Sequence, residues 1–209
     1  MVATISPRSR RRLTREDILP VAEYAAARRE HRRRIAGIKR RRRIEVGPFA
    51  SVHFENYDTM RQQIQEMLYI EKDGDAQLED ELSAYNPLIP QGSELIATIM
   101  FEIDEPARRA AVLSHLGGIE IHAFLDVAGE RIRGQPNPTR ENIGAEGKAS
   151  AVQFLKFPFT RDQITRFKTP GMQVVVDFDH SNYAHLAVLP ERVRAALLDD
   201  FDYEATGHG

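Results

Sequence analysis

The chain changes its apolar period several times, and each change marks an element. The sharpest change lies in Val52–Lys72. Val52 and Phe54 alternate with His53 and Glu55, as a half-buried strand requires. Beyond Asn56 the spacing becomes helical and puts Met60, Ile64, Met67 and Leu68 on one face. Asn56 and Asp58 both suit a helix start, where a short side-chain oxygen accepts from the unpaired N–H groups of the first turn. The Met60, Met67 and Leu68 stripe is read as core. The adjoining face (Arg61, Gln62, Gln65, Glu66, Tyr69) is read as solvated, with a ligand or partner backbone as its alternative use.

The same reading covers the rest of the chain. Met1 to Arg12 is a basic tail expected to be disordered. A helix is expected from about Pro20 to Arg40, with Val21, Tyr24, Ala25, Ile35 and Ile38 on one side. It leads through the cationic run Lys39–Arg43 into a short strand at Ile44–Val46. After strand Ala50–Glu55 and helix Asp58–Lys72, a second helix carries Leu78, Leu82 and Tyr85 and stops at Asn86-Pro87. Glu94–Ile103 is the clearest strand. Pro106 opens a helix that Gly117-Gly118 ends, and Ile119–Val127 with Glu130–Arg133 reads as a hairpin. Gly134 to Ala149 has no period, which predicts disorder or a lid. Strand Ser150–Phe157, a capping box at Thr160 and Gln163, and a hairpin of Met172–Phe178 with Tyr183–Leu189 follow. A last helix fades near Phe201.

Strands linked mostly by hairpins, with helices between them and no βαβ rhythm, predict an α+β fold. Its expected form is a largely antiparallel sheet of six or seven strands flanked by helices, with a basic N-terminal helical arm. The expected organisation is an arm over 1–43, one domain over 44–201 and a disordered tail over 202–209. With 42% hydrophobic residues, 209 residues can bury a real core.

Charge adds an asymmetry that the net value of −2 conceals. Residues 1–43 hold 14 Arg and 1 Lys against 4 acids, +11, so the other 166 residues carry −13. A basic arm on an acidic body can dock on that body or on an acidic partner, or bind nucleic acid through phosphate contacts. There is no cysteine, which removes disulfides, thiolate chemistry and iron–sulfur ligation. No apolar run reaches the roughly 18 residues of a membrane helix. Arg10-Arg11 shares its arginine pair with export signals, but Thr14-Arg15-Glu16-Asp17 is charged where such a signal is apolar. A soluble, cytoplasmic protein is expected.

Several separated blocks stand in a characteristic order: LTREDILPVAEY, FENYDTMRQQIQEML, AYNPLIP, ELIATIMFEI, SAVQFLKFPF and DHSNY. Over roughly Leu13 to Leu198 they resemble the bacterial domain-of-unknown-function 3501 family. The resemblance assigns no reaction and no catalytic residue. It implies a setting, because members are often encoded beside rubrerythrin and an iron–sulfur oxidoreductase. That setting is iron-linked redox or peroxide defence, with a rubrerythrin-type or iron–sulfur protein as partner.

The candidate chemistry comes from strand alternation. His53 and Glu55 point to one side of their strand, and Glu120 and His122 have the same relation in the hairpin after Gly118. If like faces meet, two imidazoles and two carboxylates converge, joined by Glu94 or Glu102 and by Tyr183 and His185. That set suits iron, manganese or zinc. The plain alternative is the polar side of a solvated sheet. Asp177-x-Asp179-x-Ser181 begins like a calcium loop, but Asn182 replaces the required glycine and Val188 the closing glutamate, so it reads as an acidic hairpin tip with His180 as a turn residue. Nucleotide-binding glycine loops, the hydrolase elbow, the zinc helix motif and the di-iron Glu-x-x-His motif are all absent from the sequence. An accessory partner protein in the iron-linked setting is therefore the leading expectation. An enzyme binding a metal or a small molecule through the His/Glu cluster is the second, and a nucleic-acid binder using the arm is the third.

Overall fold

The computed structural model describes residues 11–71, 75–137 and 148–202. Arg11 to Pro20 forms a strap with one 3-10 turn at Arg15–Asp17, where the Thr14 N–H donates to Asp17 Oδ2 at 2.9 Å. Helix α1 (Val21–Arg40) follows, then strands β1 (Arg43–Val46) and β2 (Ala50–Phe54) and helices α2 (Tyr57–Glu71) and α3 (Asp75–Tyr85). Strand β3 (Glu94–Phe101) and helix α4 (Pro106–Ser114) lead to β4 (Ala123–Val127), β5 (Glu130–Arg133) and β6 (Gln135–Pro136). The chain ends with β7 (Val152–Pro158), α5 (Arg161–Lys168), β8 (Val174–His180), β9 (Tyr183–Val188) and α6 (Glu191–Leu197). No described helix is long and apolar enough to cross a membrane.

The fold is α+β, and its strands divide between two antiparallel sheets rather than forming one. Their orders are β1-β2-β3-β7-β6 and β5-β4-β8-β9. Gly134 explains the division. Its N–H donates to the Ala123 carbonyl at 2.8 Å, in the second sheet, and the next residue, Gln135, pairs with Lys156 in the first. One extended segment thus crosses from sheet to sheet. A Cβ at Gly134 would lie 3.0 Å from Leu155 and 3.2 Å from the Ala123 oxygen, so any larger residue makes its neighbours give way at the crossing. Of the stretch after it, residues 138–147 lie outside the described residues, and so do the outer parts of the two tails.

Alternation sorts the core into two layers. Val52, Phe54, Leu95, Ala97, Ile99, Leu155 and Phe157 face Leu125, Val127, Val174, Val176 and Phe178 between the sheets. On the other side of β3, Ile96 packs with Leu13, Tyr57, Met60, Ile64, Leu68, Leu78 and Leu82, so helices α2 and α3 and the strap cover that face. This explains why the second face of β3 is apolar in part. Helix α2 begins as its sequence asks: Asn56 Oδ1 accepts from Thr59 N at 3.0 Å, and Thr59 Oγ1 accepts from Asn56 N at 2.9 Å.

The arm is built onto the body. Arg42, 3% exposed, donates to the carbonyls of Phe54, Glu55 and Ala196 and pairs with buried Asp200. Arg11 donates to the carbonyls of Pro90 and Asp200 and pairs with Asp202 at 2.7 Å. Arg11 falls in the tail expected to be disordered, yet it is held. On α1, Tyr24 and Ile35 are buried as expected, whereas Val21 and Ala25 are exposed.

Candidate functional site

Among the described residues, no three His, Asp or Glu side chains are arranged to hold a metal ion. The structure places the two expected pairs apart, one on the five-stranded sheet and the other in the turn that precedes β4 of the four-stranded sheet. His53 and Glu55 lie on the outer side of the five-stranded sheet, where His53 faces Arg43 and Thr98 in register. Ser51 Oγ and His53 Nε2 are 3.0 Å apart, and burial pushes the imidazole below its ordinary value. Glu55 is buried and accepts from Thr98 Oγ1 at 2.7 Å. Glu102 pairs with Arg43 at 2.8 Å, and Ser51 and Arg43 together hold it below the usual carboxylate range.

The second pair is not on a strand. Residues Ile119–Ile121 form a 3-10 turn after Gly118, whose φ of +84° starts it, and β4 begins only at Ala123. A strand would put Ile119 and Ile121 on one side and Glu120 on the other, whereas the turn buries Ile119 and Glu120 and leaves Ile121 exposed. Glu120 is buried, with Oε2 unpartnered, while His122 is half-buried and places Nδ1 2.8 Å from Asp179 Oδ1. Asp179 also meets Arg131 at 3.0 Å, and His122 and Arg131 hold its carboxyl below the usual range.

The other candidates have structural partners. His180 is buried: its Nδ1 accepts from Asn182 N, so Nε2 is the nitrogen that donates to the Gly117 carbonyl at 3.2 Å. It closes a turn, as expected. Tyr183 Oη donates to the Val46 carbonyl at 2.8 Å and accepts from Phe49 N and Ala50 N, which clamps β9 to the β1–β2 turn. His185 packs its ring 4.6 Å from that of Tyr183. Glu94, buried, accepts from Gln91 N, Ser93 N and Ser93 Oγ. It adjoins a cleft of about 280 Å³ lined also by Arg12, Asn86, Gln91 and Lys156.

The helix face read as solvated holds the arm instead. Gln65, 3% exposed, accepts from Leu19 N at 3.0 Å and donates to Leu19 O at 2.9 Å. Asn86 treats Leu13 in the same way, at 2.7 and 3.0 Å, and Arg61 Nε donates to Asp17 O at 2.6 Å. A carboxamide carries one donor and one acceptor, so it can pair with an extended peptide unit as a neighbouring strand would. Beyond the strap, Tyr24 Oη donates to Glu66, which also receives Arg28 at 2.7 and 3.0 Å. Burial, reinforced by Glu66, pushes the Tyr24 hydroxyl up to about 12. Arg34 pairs with Asp58 at 2.8 Å.

The surface left uncommitted is the outer side of α1. Only Tyr24 and Ile35 of its 20 residues are buried. Arg29, Arg32, Arg33 and Arg40 are exposed and, among the described residues, form no ion pair.

The sequence model of the protein-of-unknown-function family DUF3501 matches residues 12–201, a range that runs from the strap to α6. The chain belongs to this family. A crystal structure of a novel protein of unknown function from Burkholderia pseudomallei K96243 is similar in sequence and fold. It shows 36% identity and a TM-score of 0.85, over 91% of this chain and 99% of that one. No curated protein is significantly similar to the chain. The DUF3501 match takes in the strap and α1, so the arm belongs to the family's shared unit.

Proposed function

We propose that the protein is an accessory partner in an iron-linked redox or peroxide-stress system, working by association with another protein. The supporting observation is helix α1. A 20-residue helix that buries two side chains is secured by strap, amide and ion-pair contacts to the body, yet keeps its outer side free. The polar groups that sequence offers for chemistry are largely occupied in holding strands and turns together. The iron-linked setting and the rubrerythrin-type or iron–sulfur partner come from the DUF3501 resemblance.

The test is direct. The purified chain is mixed with a rubrerythrin-type protein and with an iron–sulfur oxidoreductase of the kinds the family resemblance implies, and complexes are measured by sedimentation. A stoichiometric complex with either is the expected result. If neither protein associates at micromolar concentrations in low salt, the reading fails.

A further inference from the structure

The outer side of α1 has a composition that selects among partners. Residues three and four apart along it are Ala22, Ala25, Ala26, Arg29, Arg32, Arg33, Ala36 and Arg40, all exposed. The face is therefore divided along the axis. Its N-terminal half is small and apolar, with Val21 37% exposed at its edge, and its C-terminal half is cationic. Arginines turned toward α2 behave differently: Arg28 is paired with Glu66 and Arg34 with Asp58. The division between paired and unpaired guanidinium groups follows the helix face.

We infer that this face docks an acidic helical surface of another protein, with carboxylates against Arg29, Arg33 and Arg40 and small apolar side chains against Ala22, Ala25 and Ala26. The inference rests on the accessory-partner reading and names the contact. Charge complementarity carries it. Guanidinium groups spaced by one helical turn match carboxylates at the same spacing on a facing helix, and alanines allow the close approach that such pairing needs. A second copy of the chain does not fit. Parallel α1 helices would set arginine against arginine, and antiparallel ones would set arginine against uncharged alanine. A nucleic-acid duplex would use the cationic half and leave the apolar half without a role, because phosphates require donors along the whole contact.

The probe is a synthetic helical peptide bearing glutamates at three- and four-residue spacing in one half and alanine and leucine in the other. Its binding to the full chain is followed by fluorescence anisotropy at low salt, beside a mixed-sequence 20-base-pair duplex. Arg29→Glu/Arg33→Glu/Arg40→Glu is expected to weaken peptide binding at least tenfold, and a lysine-for-glutamate peptide to restore it. Ala22→Glu/Ala26→Glu is expected to weaken the peptide by a similar factor. All five positions are exposed, and circular dichroism confirms that each variant is folded. Tighter binding of the duplex than of the peptide, or peptide binding indifferent to both variants, overturns the inference. A complex found with either of those redox proteins that survives both variants would leave the accessory reading intact and remove this face from it.

Discussion

Arg42 and Asp200 pair inside the protein although 158 residues separate them, and the same guanidinium donates to three backbone carbonyls. Both side chains are about as buried as the aliphatic core around them. Removing one partner strands a charge and several acceptors without water. Arg42→Ala is therefore expected to cost about 3–5 kcal/mol. Arg42→Lys should recover little of this, because an ammonium lacks the planar fork that reaches several acceptors at once. Urea unfolding of both variants gives the answer; a loss under about 1 kcal/mol would mean the pair is replaceable.

Gln65 fastens the strap by pairing with both polar atoms of Leu19. Gln65→Ala leaves that peptide unit unpartnered and is expected to destabilise by roughly 1–3 kcal/mol. The effect should be local first. Amide exchange at Leu19 and proteolysis between Leu13 and Pro20 should rise well before the sheets respond. If the whole molecule loosens together, the strap is part of the main cooperative unit.

Glu66 gives a pH dependence with a definite sign. Its hydrogen bonds from Arg28, then Tyr24, hold its carboxyl below the ordinary glutamate value of 4.5. A lowered folded value means stability that is present above pH 4.5 and lost as pH falls through the folded value. Glu66→Gln should cost about 1.5–3 kcal/mol at pH 7. The gap from wild type should narrow below pH 4.5 and close once the pH has passed under the folded value. Asp200 runs the opposite way: burial lifts it from 3.8 to about 6, so its contribution declines as pH rises through that window. A gap for Glu66→Gln that stays constant from pH 7 to acid would show that the carboxylate charge is irrelevant.

His53 lies on β2 and His122 in the turn before β4, and no group of three described His, Asp or Glu side chains is arranged around a metal. Elemental analysis of untagged protein should give the same iron, manganese and zinc content for wild type, His53→Ala and His122→Ala. A near-stoichiometric metal lost from both variants would establish the convergent site.

Gly134 is placed where the chain crosses between sheets, and a methyl group there would press on Leu155, Phe157 and the Ala123 oxygen. Gly134→Ala is expected to cost about 1–3 kcal/mol through overpacking. A thermal midpoint unchanged within a degree would show that Leu155 and Phe157 yield freely.

The strands and helices were legible because period changes, caps and glycines are local signals. The Asn56 cap, the Met60–Leu68 stripe and the alternation of Leu95 to Phe101 all follow from neighbours in sequence. Glu120 misled because an alternation of three residues is too short to separate a strand from a 3-10 turn. Gln65 and Asn86 were missed as anchors, since nothing local shows which peptide unit an amide will meet. Arg42 did carry a signal within its cationic run. It shares strand parity with Ile44 and Val46, which face the core, while Arg43 and Glu45 alternate outward.

Arg11 and Asp202, at opposite limits of the described chain, are joined by a 2.7 Å ion pair, and the Arg11 guanidinium also takes the Asp200 carbonyl. Docking of the strap therefore closes a loop of almost the whole sequence, the kind of contact that slows folding because its entropy is lost before any return. During synthesis the arm emerges before the body, and its partners follow in turn, from Asp58, Gln65 and Asn86 to Asp200 and Asp202. Until Asp200 and Asp202 have left the ribosome, neither Arg11 nor Arg42 has its carboxylate, although Arg28 and Arg34 can already meet Glu66 and Asp58.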